Sequence, residues 1–209
     1  MLLQIAFDIN TEDEILDIVP KIKKSVSIIE IGTVALLRYG SGLITKVREK
    51  SPDSVILADA KIADGGRIES AMMFDAGADI VTVLGAMNEE TIRLVSECAK
   101  ERNKKIMVDL IGITDYGMAA QKLNPLRPDY VCAHVAVDIV SHSQLKNSFS
   151  ALKRAGIDAE LALAGGVTLD NLDEIIALNP DVIIVGRGIT ASNDIAGAAK
   201  LFWERINAC

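Results

Sequence analysis

Histidine, cysteine and aromatic residues are scarce in this chain. Its 209 residues hold two histidines and three cysteines, and aromatics make up 4%. The cysteines, Cys98, Cys132 and Cys209, are odd in number and form no CxxC pair. That argues against a disulfide framework or a zinc knuckle. The His-rich sets that zinc prefers are also missing. So few aromatics leave no platform for stacking bases. Positive charge is in deficit: 22 Lys plus Arg stand against 29 Asp plus Glu, a net charge of −7. No broad basic patch is expected, which excludes nucleic acid and anionic membrane as partners. Long apolar runs are absent too; the longest are strand-sized, well short of the roughly 20 residues of a transmembrane helix. The chain reaches Asp8 without a basic segment followed by an apolar one. No secretory leader is therefore expected, and a reducing cytoplasm is the expected location.

What is present is material for a core. Half the residues are apolar and 24% are charged, a globular and not a disordered composition. The length suits one domain over 1–209. Short apolar, β-branched runs recur at 3–7, 26–31, 54–58, 80–84, 106–108, 130–133, 160–163 and 181–185. Their apolar residues are continuous and not alternating, as in strands buried on both faces. Helical periodicity fills the gaps. Ile15, Ile18, Val19 and Ile22 share one face, Thr11 and Glu14 form a capping-box pattern, and Pro20 predicts a kink or early break. Thr91, Leu94, Val95, Cys98 and Ala99 share another face, which makes Cys98 a packing residue. The strand ends, from Asp8 to Gly186, fall 22 to 30 residues apart. Eight such units fit an α/β fold of the single (β/α)8 TIM-barrel type. A doubly wound open sheet is the alternative, but the first turn, Asp8-Ile9-Asn10-Thr11, lacks its glycines.

Active sites of barrels lie at the carboxyl ends of the strands. Here those ends carry Asp8, Glu30, Asp59 with Lys61, Asp109 and His134. Asp59 and Lys61 are two apart, so a regular strand points both to one side. At the mouth they would form an ion pair that keeps Lys61 protonated. A protonated lysine there can stabilise an enolate oxygen as it develops; a structural salt bridge has the same spacing. Glu30 and Asp59, on adjacent strands, suit Mg²⁺, which keeps waters and takes substrate oxygens. His134 is placed for general acid or base work, whereas His142, in Ser141-His142-Ser143, reads as a solvated loop residue. Asp64 precedes Gly65-Gly66 and could cap the next helix. Strands seven and eight end in Gly165-Gly166 and Gly186-Arg187-Gly188. Glycine-rich turns there, with an arginine, suit a phosphate.

The segment Leu57-Ala58-Asp59-Ala60-Lys61-Ile62-Ala63-Asp64 resembles the Asp-x-Lys-x-x-Asp signature of the orotidine 5′-monophosphate decarboxylase suprafamily. The resemblance extends over nearly the whole chain, through 29–33, 79–85, 164–166 and 185–188. Within that suprafamily the chain is most similar to the 3-hexulose-6-phosphate synthases, whose sisters are the 3-keto-L-gulonate-6-phosphate decarboxylases. The resemblance implies that Glu30 and Asp59 ligate Mg²⁺ and that Lys61 meets the enediolate oxygens. It implies that Asp8, Asp109 and His134 line the reacting end, and that Gly165, Gly166, Gly186 and Arg187 hold the phosphate. Asp64 would reach into the site of a second subunit, making a homodimer with shared active sites. The decarboxylase pattern has Glu where this chain has Asp109, and Arg where it has Val137; the synthase pattern has Asp at both Asp109 and Asp138. The activity implied is an aldehyde-lyase, condensing ribulose 5-phosphate with formaldehyde. Decarboxylation through the same enediolate, and a non-catalytic sugar-phosphate-binding barrel, are the alternatives.

Overall fold

The computed structural model describes residues 1–136, 138 and 142–208. Eight parallel strands close a barrel in chain order. They are β1 (Leu2–Phe7), β2 (Ile28–Ile31), β3 (Val55–Ile62), β4 (Ile80–Leu84), β5 (Lys105–Asp109), β6 (Tyr130–His134), β7 (Glu160–Ala164) and β8 (Val182–Val185). β8 pairs back onto β1, with Leu2 opposite Val182 and Ile5 opposite Val185. That closure gives the (β/α)8 barrel and excludes the open sheet. The outer layer comprises α1 (Glu12–Ile22), α2 (Thr33–Tyr39), α3 (Gly42–Lys50), α4 (Gly66–Asp75), α5 (Glu89–Glu101), α6 (Tyr116–Leu123), α7 (His142–Arg154), α8 (Leu172–Ile176), α9 (Arg187–Thr190) and α10 (Ile195–Asn207). None of the helices described is long and apolar enough to cross a membrane.

Two separate cores explain the continuous apolar strands. Leu3, Ile5 and Phe7 of β1 point outward into the large core under the helices. Ala6, Ile28, Leu57, Ile80 and Met107 point inward and fill the barrel itself. The same inward parity, carried to the carboxyl ends, gives Asp8, Glu30, Asp59, Thr82, Asp109 and His134. The barrel is thus apolar below and ionisable above.

The opposite end is tied by a repeated device. The residue just before each even-numbered strand accepts a backbone N–H from the preceding odd-numbered strand. Leu3 donates to Ser27 Oγ at 3.3 Å, Ile56 to Asp79 Oδ2 at 2.9 Å, Ile106 to Asp129 Oδ2 at 3.0 Å and Leu161 to Asp181 Oδ2 at 2.7 Å. Each bond satisfies a donor at the frayed start of a strand.

Three local expectations need correction. β3 does not stop at 58 but runs to Ile62, with a register shift between Ala58 and Ile62. α1 runs through Pro20 to Ile22 with its Thr11–Glu14 capping box intact. Pro20 lies in the last turn, so its missing N–H removes one hydrogen bond and leaves buried Ile15, Val19 and Ile22 to hold the helix. His142 is not in a loop; it is the first residue of α7.

Candidate active site

A cavity of about 760 Å³ opens at the carboxyl ends of the strands. Asp8, Glu30, Asp59, Lys61, Asp109 and His134 line it, and so do Gly165, Gly166, Gly186 and Arg187. Ten of the eleven site residues expected from the sequence meet in this one space. Asp138 also lines it; Val137 lies outside the described residues.

The ionisable groups form a row. Lys61 Nζ lies against Asp59 Oδ2 and 3.7 Å from Asp109 Oδ2. His134 Nδ1 lies 2.9 Å from the same Asp109 oxygen. Asp109 therefore accepts from the imidazole and leaves Nε2 as its basic nitrogen. Two threonines brace the row. Thr82 Oγ1 donates to Asp59 Oδ1 at 2.8 Å, and Thr33 Oγ1 lies 2.8 Å from Asp59 Oδ2 and accepts from Lys61 Nζ at 3.0 Å.

Burial opposes the charge on Lys61, but Asp59 and Asp109 outweigh it and raise its pKa. Burial likewise works against ionised Asp59, yet the charge of Lys61 and hydrogen bonds from Lys61, Thr33 and Thr82 lower its pKa. For Glu30 the balance goes the other way. Burial first, then the charge of Asp59, push it up to about 8, against a hydrogen bond of 2.6 Å from Gln4 Nε2. Asp8 is raised by burial and by Asp59. Burial and the surrounding carboxylates hold Cys132 as a thiol.

The β7 and β8 turns are shaped for close backbone approach. Gly165 has φ +110, and a Cβ there would stand 2.3 Å from the Val135 carbonyl oxygen. Gly166 follows at φ +72. Gly186 precedes α9, whose first residue, Arg187, is exposed at the rim. These turns offer backbone donors and a guanidinium at the mouth of the cavity that the Lys61 row also lines.

With that geometry in place, the comparisons with known proteins fall into line. The sequence profile of the "Orotidine 5'-phosphate decarboxylase / HUMPS family" matches residues 1–202. The chain belongs to this family. A Bacillus subtilis relative named 3-hexulose-6-phosphate synthase is 39% identical over 209 residues, covering 99% of both chains. The crystal structure of 3-hexulose-6-phosphate synthase from Salmonella typhimurium superposes with a TM-score of 0.90 at 36% identity, covering 99% of this chain and 98% of that one. A crystal structure of KGPDC from Streptococcus mutans also reaches 0.90, at 27% identity, covering 99% of this chain and 97% of that one. By its relatives' names, this family member is an enzyme.

One expected site residue stands apart. Asp64 is exposed and does not line the cavity of its own chain. It does not cap α4 either: Gly65 holds the cap position at φ +58, and Asp64 Oδ1 accepts the Gly65 N–H at 2.8 Å. Among the polar residues that line the cavity, Gln4, Thr33 and Thr82 escape a reading of strand ends. Gln4 and Thr82 could have been found by counting back in twos from Asp8 and Leu84. Thr33 gives no such signal, because it opens a helix.

Among the described residues no group of three or more His, Cys, Asp or Glu is arranged to hold a metal. Glu30 and Asp59 offer a narrower site. Both face the barrel interior, and Asp8, Asp109 and Asp138 line the same cavity. Hard oxygen donors and an excess of negative charge fit a cation that keeps waters and takes substrate oxygens, as Mg²⁺ does with one or two carboxylates.

Proposed function

We propose that this enzyme condenses D-ribulose 5-phosphate with formaldehyde to give D-arabino-hex-3-ulose 6-phosphate. The observation that carries the reading is the Asp59–Lys61–Asp109–His134 row facing a glycine-and-arginine phosphate cradle across one cavity. The full-length relatives named 3-hexulose-6-phosphate synthase support it. The sugar phosphate sits with its phosphate on the Gly165–Gly166 and Gly186–Arg187 turns. That directs C1 and C2 toward Lys61 and His134. His134 Nε2 removes a proton from C1, with Asp109 stabilising the imidazolium. Lys61 donates to the enediolate oxygen as its charge grows. C1 then bonds to the formaldehyde carbon as the C=O π bond opens, and the resulting alkoxide takes the proton back from the His134 imidazolium. Mg²⁺ held by Glu30 and Asp59 would supply further positive charge beside the sugar oxygens.

Asp64 completes the site only from a second copy. Exposed apolar residues on α4 and α2 support that arrangement. Ile68 and Met72, one turn apart on α4, are 71% and 53% exposed, and Leu37 on α2 is 82% exposed. Exposed apolar side chains of this kind suit an isologous dimer contact.

A paired assay with Mg²⁺ tests the reading. One arm follows formaldehyde loss with ribulose 5-phosphate; the other follows CO₂ release from 3-keto-L-gulonate 6-phosphate. Dominant formaldehyde loss, abolished by EDTA and restored by Mg²⁺, is the expected result. Dominant CO₂ release would make the enzyme a decarboxylase using the same enediolate.

A further inference from the structure

We propose that Thr82 is a positioning residue for Lys61, whose backbone it fixes so that the ammonium reaches both Asp59 and Asp109. The inference rests on the enediolate reading above. β3 and β4 pair regularly at Leu57–Ile80 and Ala58–Val81, and again at Ile62–Val83. Between those points Asp59, Ala60 and Lys61 all stand against the single residue Thr82. A bulge of this kind disrupts the ladder and leaves backbone groups in need of other partners.

Thr82 supplies one. Its Oγ1 accepts the Lys61 backbone N–H at 2.8 Å and donates its own proton to Asp59 Oδ1 at 2.8 Å. One hydroxyl thus spends its donor and a lone pair on the two ends of the bulge. Lys61 itself has φ +44. A side chain with a Cβ is disfavoured there and persists only where its surroundings over-determine it. Thr82 is buried on a strand whose other inward residue below it, Ile80, is apolar. A hydroxyl in such a place is costly unless both its functions are used. Without it, the lysine backbone is free to leave the left-handed conformation. Nζ then swings out of its 3.7 Å approach to Asp109. The regular two-residue alternation does not set the Asp59–Lys61 contact; the bulge and its hydroxyl do.

The test compares Thr82→Val, Thr82→Ala and Thr82→Ser with the wild-type enzyme. Two quantities are read: kcat and KM for ribulose 5-phosphate with saturating formaldehyde, and hydrogen exchange of the Lys61 amide without substrate. In Val and Ala, kcat is expected to fall about 10- to 100-fold, as misplacement of a reacting group does. KM should stay within about twofold, because the phosphate end is held elsewhere. Lys61 exchange should accelerate in both and return to the wild-type rate in Ser, together with kcat. Unchanged Lys61 exchange in Val and Ala, or a Ser variant as impaired as Ala, would overturn the proposal. If Val does not fold, Ala and Ser decide. A wild-type enzyme inactive with formaldehyde would defeat the functional reading alone, since the exchange measurement needs no turnover.

Discussion

Lys61 lies against two carboxylates inside the cavity, whereas Arg187 stands exposed at its rim. In the proposed reaction the two cations therefore serve different stages. Lys61→Ala should cut kcat about 10²- to 10³-fold, the loss typical of removing one oxyanion donor. Its KM for the sugar phosphate should change little. Arg187→Ala should do the reverse. A charge-assisted hydrogen bond of about 1.5–3 kcal/mol corresponds to a KM rise of roughly 10- to 100-fold, with kcat nearly kept. Steady-state kinetics on both variants checks the division. The ionisable residues were legible in the sequence because each ends an apolar run: Asp8, Glu30, Asp109 and His134 each follow at least two apolar residues. Their partners were less so. Gln4 lies within a strand that otherwise reads as apolar, and its Oε1 is buried without a hydrogen-bond partner among the described residues. Thr33 and Thr82 bond to Asp59 from other elements, a contact that no spacing along the chain encodes.

At the scale of elements, the ends of strands matter more than their middles. The beat of eight apolar runs was legible because burial on both faces makes each strand continuous. The bulge in β3 was not, because two inserted residues leave the composition of a strand unchanged. The Asp device at the barrel floor is the structural counterpart of the acidic strand ends at its mouth. Asp79 accepts Ile56 N–H at 2.9 Å and Lys104 Nζ at 2.6 Å, and it pairs with Arg48. Burial alone would raise its pKa, but the bonds from Lys104 and Ile56 and the charge of Arg48 lower it. Removing this acceptor leaves a strand N–H and two cations without their partner. Asp79→Ala should therefore cost about 1.5–3 kcal/mol of stability near neutral pH, read by denaturant titration. The sign with pH follows from the lowered value. The contribution is complete above the unfolded carboxylate pKa of about 4. It is lost as pH falls through the lower folded one, so wild type and variant should converge in acid.

At the scale of the whole molecule, a closed barrel sets its chemistry at one end and leaves its helices to meet other molecules. Asp64 sits on that outer layer next to α4, away from its own cavity, and the proposed homodimer would give it a cavity to serve. Asp64→Ala should then be folded and inactive. Mixing and refolding it with equal Lys61→Ala should recover about a quarter of wild-type activity, because half the dimers are mixed and each regains one intact site. Full activity of Asp64→Ala alone would place Asp64 outside the mechanism, and an inactive variant with no recovery on mixing would contradict the shared site. The proposed reaction depends on proton removal from C1 by the His134–Asp109 pair. The most direct measurement is deuterium entry at C1 of ribulose 5-phosphate in D₂O, with Mg²⁺ and no formaldehyde. Wild-type enzyme should exchange C1, and His134→Ala should do so at least about 100-fold more slowly. Undiminished exchange in His134→Ala, or none in a wild-type enzyme that still consumes formaldehyde, would contradict it.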